Sequence, residues 1–358
     1  MKSPFFSIVV PTRNRYETLR HTISTVVTQK FSSFELVISD NSDPENLTQL
    51  ELIKDSLVDN RIKYYRPASV LSMTDHWEFA VSKSIGDFVI LFGDDDGLVD
   101  GSLDKIHEVL QKTKTNLVSW ARVEYSWPDR IPSQASNQMT IPYKAKTGII
   151  NGKEYIKNIL LGRGDYRYLP MLYNSAVNKN LIHRLKKQTG RLFSAVSPDI
   201  YSGFALANLV EEYITIGSPL SINGVSSKSN GAAHLNEDEQ TKIDFWKLLE
   251  KSEIQWPETL PKVMTAYTTT IEPFIQLTKY CPELTKYISR NKIYKIIIDT
   301  LEGLNEEDYR NKINIIVESA KDDWRLLKWV EGYVLKMVPK VSQKPASYES
   351  HAPEDRRR

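Results

Sequence analysis

Apolar positions in the first half of this chain come in short unbroken runs. Ser7-Ile8-Val9-Val10 is one, closed by Pro11, and Asp87-Phe88-Val89-Ile90-Leu91-Phe92 is another, bounded by Gly86 and Gly93. Phe34-Glu35-Leu36-Val37-Ile38-Ser39 and Arg61-Ile62-Lys63-Tyr64-Tyr65 add two more. Short β-branched runs predict strands buried on both faces of a parallel sheet. Between the first two in chain order, Leu19, Ile23, Val26 and Val27 fall at i, i+4, i+7 and i+8, one helical face. Asn14 is expected to cap that helix, with Glu17 reaching back from the N3 position. Residues 45–57, 75–84, 102–112, 151–161 and 179–188 predict further helices, and 117–121, 169–177 and 213–216 further strands. This alternation argues for an α/β fold with helices on both faces of a mostly parallel sheet. From residue 237 the strand patterns stop. Helical periodicity follows over 243–249, 260–279, 293–301, 309–320 and 324–338. The expected organisation is an α/β domain over 1–235, an all-helical domain over 236–341 and a polar, disordered tail over 342–358.

Three of the strands end in polar motifs: Pro11-Thr12-Arg13-Asn14, Asp40-Asn41-Ser42-Asp43 and Asp94-Asp95-Asp96. In an open α/β sheet the carboxyl ends of the strands are where ligands bind. Adjacent carboxylates repel, and folding does not require a triplet. If the backbone stays extended through it, Asp94 and Asp96 share one face and Asp95 takes the other. Two carboxylates on one face suit a hard divalent cation that also holds phosphate oxygens. The plainer alternative is an acidic turn, since Asp-Gly is a turn dipeptide. A helix-loop-helix calcium loop fits poorly, because Leu98 and Val99 stand at its positions 5 and 6. Neither a Gly-x-Gly-x-x-Gly fingerprint nor a Gly-x-x-x-x-Gly-Lys phosphate loop follows Val10. Phosphates bound here would need a metal in place of a glycine-rich cradle.

Composition narrows the classes. The 358 residues are 41% hydrophobic and 26% charged, as in a soluble globular protein with a real core. A net charge of +2 gives no global case for nucleic acid as a partner. Cys281 is the single cysteine, so an internal disulfide and a cysteine-based zinc site are excluded. The apolar run near the N-terminus is too short for a signal peptide, and no stretch approaches the roughly 20 residues that span a bilayer. A cytoplasmic location is expected.

The motifs SIVVPTRNR, ELVISDNSD and GDFVILFGDDDGL resemble those of family 2 glycosyltransferases, nucleotide-sugar-dependent enzymes with the Rossmann-like GT-A fold. The resemblance covers roughly residues 5–110 closely and 165–232 loosely. It implies that Pro11, Thr12 and Arg13 line the base and ribose pocket and that Asp40 binds base or ribose. Many members read Asp-Asp-Gly-Ser where this chain has Asp-Asn-Ser-Asp, so only Asp40 transfers from that motif. Asp94 and Asp96 match the ends of the family's Asp-x-Asp motif. Asp94 and Asp95 fall among the donor-binding residues, and Asp96 as ligand to Mn²⁺ or Mg²⁺ on the diphosphate. Asp199 is implied as the general base of an inverting displacement. The sequence reads equally as a helix-capping Asp there, and Pro198 replaces the glutamate that often precedes the base. His234, in the polar stretch GVSSKSNGAAH, is a candidate further metal ligand, against the reading of a solvated loop histidine. Lys228 is a candidate for the diphosphate.

The implied donor is a nucleotide sugar, UDP by default with dTDP and GDP as alternatives. The implied acceptor is a glycan or a lipid-linked sugar, in bacterial surface polysaccharide synthesis. No Gln-x-x-Arg-Trp motif of a processive synthase is present. Two rivals stay open: a sugar-nucleotidyltransferase, which would want a glycine-rich loop where PTRNR stands, and a catalytically silent carbohydrate-binding or assembly protein. Trp324, Leu327, Val330, Val334 and Met337 could form one apolar face beside several basic residues. Peripheral membrane contact, homo-oligomer formation and simple core packing all remain readings of that face.

Overall fold

The computed structural model describes residues 3–130, 136–142, 147–227 and 239–341. Strands β1 (Phe6–Thr12) and β2 (Phe34–Asp40) are buried at every position, and β4 (Phe88–Leu91) likewise. They lie beside β3 (Ile62–Tyr65) in one parallel block, ordered β3-β2-β1-β4. Helix α1 (Tyr16–Val27) covers this block through Leu19, Ile23 and Val26. Each of these side chains contributes roughly 1.5–3 kcal/mol by leaving water. Beyond β4 the sheet becomes mixed. β9 (Ser175–Asn178) runs antiparallel to both β4 and β6 (Leu117–Ser126). β6 pairs in parallel with β10 (Glu212–Val225), whose other partners are the short β5 (Gly97–Leu98) and β8 (Gly148–Asn151). β7 (Gln138–Thr140) adds a hairpin on β6.

The remaining helices of this part are α2 (Met73–Ser82), α3 (Ser102–Thr113), α4 (Gly152–Leu160), α5 (Lys179–Thr189) and α6 (Pro198–Leu209). Helix α6 is mostly apolar around its circumference, and it is buried over most of its length. At Gly203 an added Cβ would come within 2.7 Å of Met171 and 2.9 Å of Leu169, so only glycine lets that segment press against α6.

Local structure departs from the sequence expectations where side chains found better partners. Asn14 does not cap α1. It takes a left-handed backbone (φ 59°) and gives its side chain to Asp43 instead. Residues 45–57 form two 3₁₀ segments, Pro44–Leu52 and Ser56–Val58, in place of one α-helix. Helix α2 starts two residues early, because Ser72 caps it by accepting from the Asp75 N–H. The strand expected over 169–177 shrinks to β9, preceded by 3₁₀ turns at Tyr166–Tyr168 and Leu172–Asn174.

The chain divides into two compact units, Met1–Pro257 with Met264–Ile288, and Glu258–Val263 with Ser289–Arg358. Composition changes near residue 236, yet helices α7 (Glu239–Glu250) and α8 (Ala266–Thr278) go with the sheet-bearing unit. In the second unit, α9 (Arg290–Asp299), α10 (Glu306–Ser319) and α11 (Trp324–Val341) share Tyr294, Ile297, Ile316 and Val330 as core. Asn305 caps α10, and Glu306, Glu307 and Asp308 suit the positive end of its dipole. The apolar face expected on α11 is rotated: Leu326, Val330 and Met337 are buried, whereas Trp324 is 67% exposed. Among the described residues no helix is long and apolar enough to cross a membrane.

Candidate active site

The carboxyl ends of β1, β2 and β4 meet at one edge, where the chain must leave the sheet three times. After β4 the backbone does not stay extended. The Asp96 N–H bonds back to the Gly93 carbonyl at 3.2 Å, closing a turn over the triplet. The expected alternation of faces is therefore lost. Asp94 and Asp95 both turn to Arg15, whose guanidinium bridges them: it bonds Asp94 Oδ1 and lies 3.1 and 3.3 Å from the two Asp95 oxygens. Thr12 Oγ1 donates to Asp94 Oδ2 at 2.6 Å, and Ser226 Oγ to Asp95 Oδ2 at 3.1 Å. Asp96 points elsewhere, accepting the N–H groups of Gly93 and Gly224 at 2.7 Å each. The triplet's main chain is tied as well, by Thr22 Oγ1 on the Asp96 carbonyl (2.6 Å) and Trp127 Nε1 on the Asp95 carbonyl (2.9 Å). Gly224 is required here: a Cβ would stand 1.8 Å from the Asp95 carbonyl oxygen.

Burial works against the Arg15 guanidinium, but Asp94, Asp95 and Asp96 outweigh it and hold its proton more firmly than usual. Burial, then Asp95, raises the Asp94 carboxyl despite Arg15 and Thr12. Burial and the neighbouring Asp95 push Asp96 up to about 7, against its bonds from Tyr173, Gly224 and Gly93. Among the described residues, the guanidinium in direct contact with the triplet is that of Arg15, on Asp94 and Asp95. Among the described residues no three His, Cys, Asp or Glu side chains converge into an all-protein cage. The donor set nonetheless fits a divalent cation completed by substrate phosphates. Its ligands are hard oxygens, and magnesium-type sites commonly use one or two carboxylates. His234 and Lys228 lie outside the described residues.

A cleft of about 350 Å³ opens beside the triplet, and its walls include Pro11, Thr12, Arg13, Asn41, Asp43 and Asp94. Asp40 is not among its lining residues. Its carboxylate is fully buried and already accepts from Tyr16 OH (2.5 Å), Tyr64 OH, Arg66 (2.8 Å) and the Ser42 N–H (2.8 Å). Burial would raise its pKa, but the Ser42, Tyr16 and Tyr64 bonds outweigh it and the net shift is downward. Asp40 therefore braces the wall, while Asn41 and Asp43 face the cleft. His76, also in the wall, sits on the Ser39 carbonyl at 3.0 Å, and burial lowers its pKa to about 4, so it is neutral at pH 7.

Asp199 occupies the first turn of α6, where Ser197 is the N-cap without a side-chain bond and Pro198 fills N1. Burial raises its pKa, opposed by the Ile200 N–H and by the charge of Arg122. Arg122 also lies over the Tyr173 ring, 5.4 Å from its centroid. Tyr173 hydrogen-bonds Asp96 and stacks on Trp77 in the cleft wall, with centroids 6.2 Å apart. Asp96, Tyr173, Arg122 and Asp199 thus form one electrostatically connected series. Arg15, Tyr173, Arg122 and Gly224 were not singled out from sequence. Only Arg15 left a signal there, as a basic loop residue available to an acidic triplet.

Residues 7–163 match the family described as Glycosyl transferase family 2, and the mixed, mostly parallel sheet has the GT-A form. A 106-residue stretch is 29% identical to the GalNAc(5)-diNAcBac-PP-undecaprenol beta-1,3-glucosyltransferase of Campylobacter jejuni, over 29% of this chain and 33% of that protein. The chain thus spans about a third of the length of this curated relative. In structure it resembles S. aureus TarS 1-349 in complex with UDP-GlcNAc, with a TM-score of 0.53 and 12% identity over 94% of this chain and 90% of that one. S. aureus TarS in a longer form gives 0.51 at 12% identity, over 98% of this chain and 57% of that one.

Proposed function

We propose that the protein is a metal-dependent, inverting glycosyltransferase that moves a sugar from a nucleotide-sugar donor to a hydroxyl of a glycan or lipid-linked acceptor. The observation that carries this reading is the strand-end edge itself, where three consecutive buried carboxyl groups stand beside a cleft of nucleotide-fragment size. UDP is the favoured nucleotide, in keeping with the UDP-GlcNAc held by the TarS structure. The name of the Campylobacter relative supports a lipid-diphosphate-linked acceptor and a place in bacterial surface glycan synthesis. A cytoplasmic site, with or without peripheral membrane contact, suits such an acceptor.

In this reading Asn41, Asp43 and Arg13 contact the nucleoside, and Asp40 keeps their loop rigid. Asp96 would hold Mn²⁺ or Mg²⁺, which when bound neutralises the diphosphate and favours its departure, and Asp94 would stand on the donor side beside it. Asp199 takes the proton of the acceptor hydroxyl as that oxygen attacks the anomeric carbon. The bond from that carbon to the diphosphate oxygen breaks with its electron pair, so the nucleoside diphosphate leaves and configuration inverts. Burial, which keeps the Asp199 carboxylate more basic than usual, favours that proton transfer.

A thermal-shift panel of nucleoside diphosphates and sugar nucleotides, each with and without Mn²⁺, tests this. One nucleotide should stabilise the fold only with metal, by about 2.7 kcal/mol at roughly 100 times its dissociation constant. Asp96→Ala should abolish the metal-dependent part. Silence across the panel would move the weight to a carbohydrate-binding or assembly role.

A further inference from the structure

The backbone just before Asp199 is held by side chains that the proposed reaction does not otherwise use. Glu272 on α8 is 1% exposed. Its carboxyl oxygens lie 3.1 and 3.3 Å from the Val196 amide nitrogen, which donates to them, and it also accepts the Ser197 N–H. Gln276, one turn along α8, donates to Glu272 Oε1 at 2.9 Å and to the Gln255 carbonyl at 2.7 Å. From α2, Glu78 Oε2 accepts the N–H groups of Leu192 (2.9 Å) and Phe193 (3.1 Å), and Thr74 Oγ1 donates to the Ala195 carbonyl (2.7 Å). The neighbours of Glu272 on α8, Ile271, Phe274 and Ile275, are buried and apolar. Packing gives no reason to place a carboxyl among them, and burying one is costly unless it is hydrogen-bonded. Its bonds go to the two residues that lead into α6.

We propose that Glu272, with Glu78 and Thr74, is a positioning residue: it fixes the main chain of Val196 and Ser197, and so aims the Asp199 carboxylate in the first turn of α6. This rests on the role given to Asp199 above. The clasp reaches past the family match, which ends at residue 163, so a helix outside that match completes the site. A displacement of about 1 Å at a reacting group can cost on the order of a hundredfold in rate. Val196 also lines the cleft, so the same segment touches the donor side.

The test uses the full chain with the nucleotide and metal that the thermal-shift panel identifies. Glu272→Leu keeps the volume and removes both amide acceptors. Donor affinity should stay within about twofold while transfer kcat falls about ten- to a hundredfold. Glu272→Gln keeps an acceptor oxygen and should recover most of that loss. Glu78→Ala, at the half-buried end of the clasp, should lose kcat in the same direction and guards against misfolding of the first variant. Ile106→Ala, a core truncation in α3, should lower Tm and leave kcat unchanged. The clasp is overturned if Glu272→Leu and Glu78→Ala both keep wild-type kcat, or if Ile106→Ala loses kcat in step with its Tm. A wild-type protein that binds no nucleotide and transfers no sugar would instead overturn the glycosyltransferase reading before any variant is compared.

Discussion

On the proposed donor side of the cleft, Thr12, Arg15, Asp94 and Asp95 reach one another directly from the ends of two strands, and Asp96 is tied to the main chain of Gly93 and Gly224. On the acceptor side, Asp199 starts a helix whose lead-in is tied by Glu78, Thr74 and Glu272 from two other helices. The donor side is fixed by short range and strong charge. The acceptor side is fixed by backbone amides held at a distance in sequence. A charged cluster assembled from adjacent strands needs little else to be rigid. A single carboxylate in the first turn of a helix takes its direction from whatever holds the segment before it.

The largest effect that sharpens this contrast is expected at Asp199. Asp199→Asn removes the proton acceptor and should lower transfer by about 10²–10⁴-fold, while nucleotide binding in the thermal-shift assay stays as in the wild type. Equal loss of both would erase the division of labour between the two sides. On the donor side, Arg15→Met leaves Asp94 and Asp95 buried without their counter-charge. Unfolding by urea should show a loss of about 3–5 kcal/mol, since breaking a buried pair strands its partner. Mn²⁺ with nucleotide should restore part of that loss. An unchanged midpoint would mean that Arg15 is not what balances the triplet.

The two sides were also unequally legible from sequence. The strands, the helix spacing and the three strand-end motifs follow from apolar runs and local chemistry, so Thr12, Asp94 and Asp96 could be named at once. The details that failed were decided by contacts far along the chain. Asn14 reads as a cap until Asp43, 29 residues on, takes its side chain. Asp40 is legible as a strand-end acid, but its bonds to Tyr16, Tyr64 and Arg66 are not. Gly224 is an ordinary strand-end glycine until the Asp95 carbonyl appears against it. The composition change near residue 236 suggested a boundary, but composition does not report which layer a helix packs on, and α8 carries Glu272 into the sheet-bearing unit.

The smallest effect is the pH dependence that Glu272 adds beside Asp199. Burial raises the Glu272 carboxyl from 4.5 to about 7, against the bonds it accepts from Gln276, Val196 and Ser197. Folded protein therefore binds this proton more tightly than unfolded chain. Its contribution to stability is fully present below about pH 4.5 and is lost as pH rises through about 7. Asp96, also raised to about 7, acts in the same sense, and carboxylates held low, such as Asp40 and Asp75, act in the opposite sense at more acid pH, so the wild-type profile mixes them. Comparing wild type with Glu272→Gln isolates the term. Any hydrogen bond lost in the variant offsets the two curves equally at every pH, whereas the titration changes their separation. Between pH 5 and pH 8 the wild type should lose about 1–3 kcal/mol relative to the variant, read from urea midpoints at each pH. Parallel curves would place Glu272 in a wetter setting than the clasp requires, and the aim of Asp199 would then have to come from α2 alone.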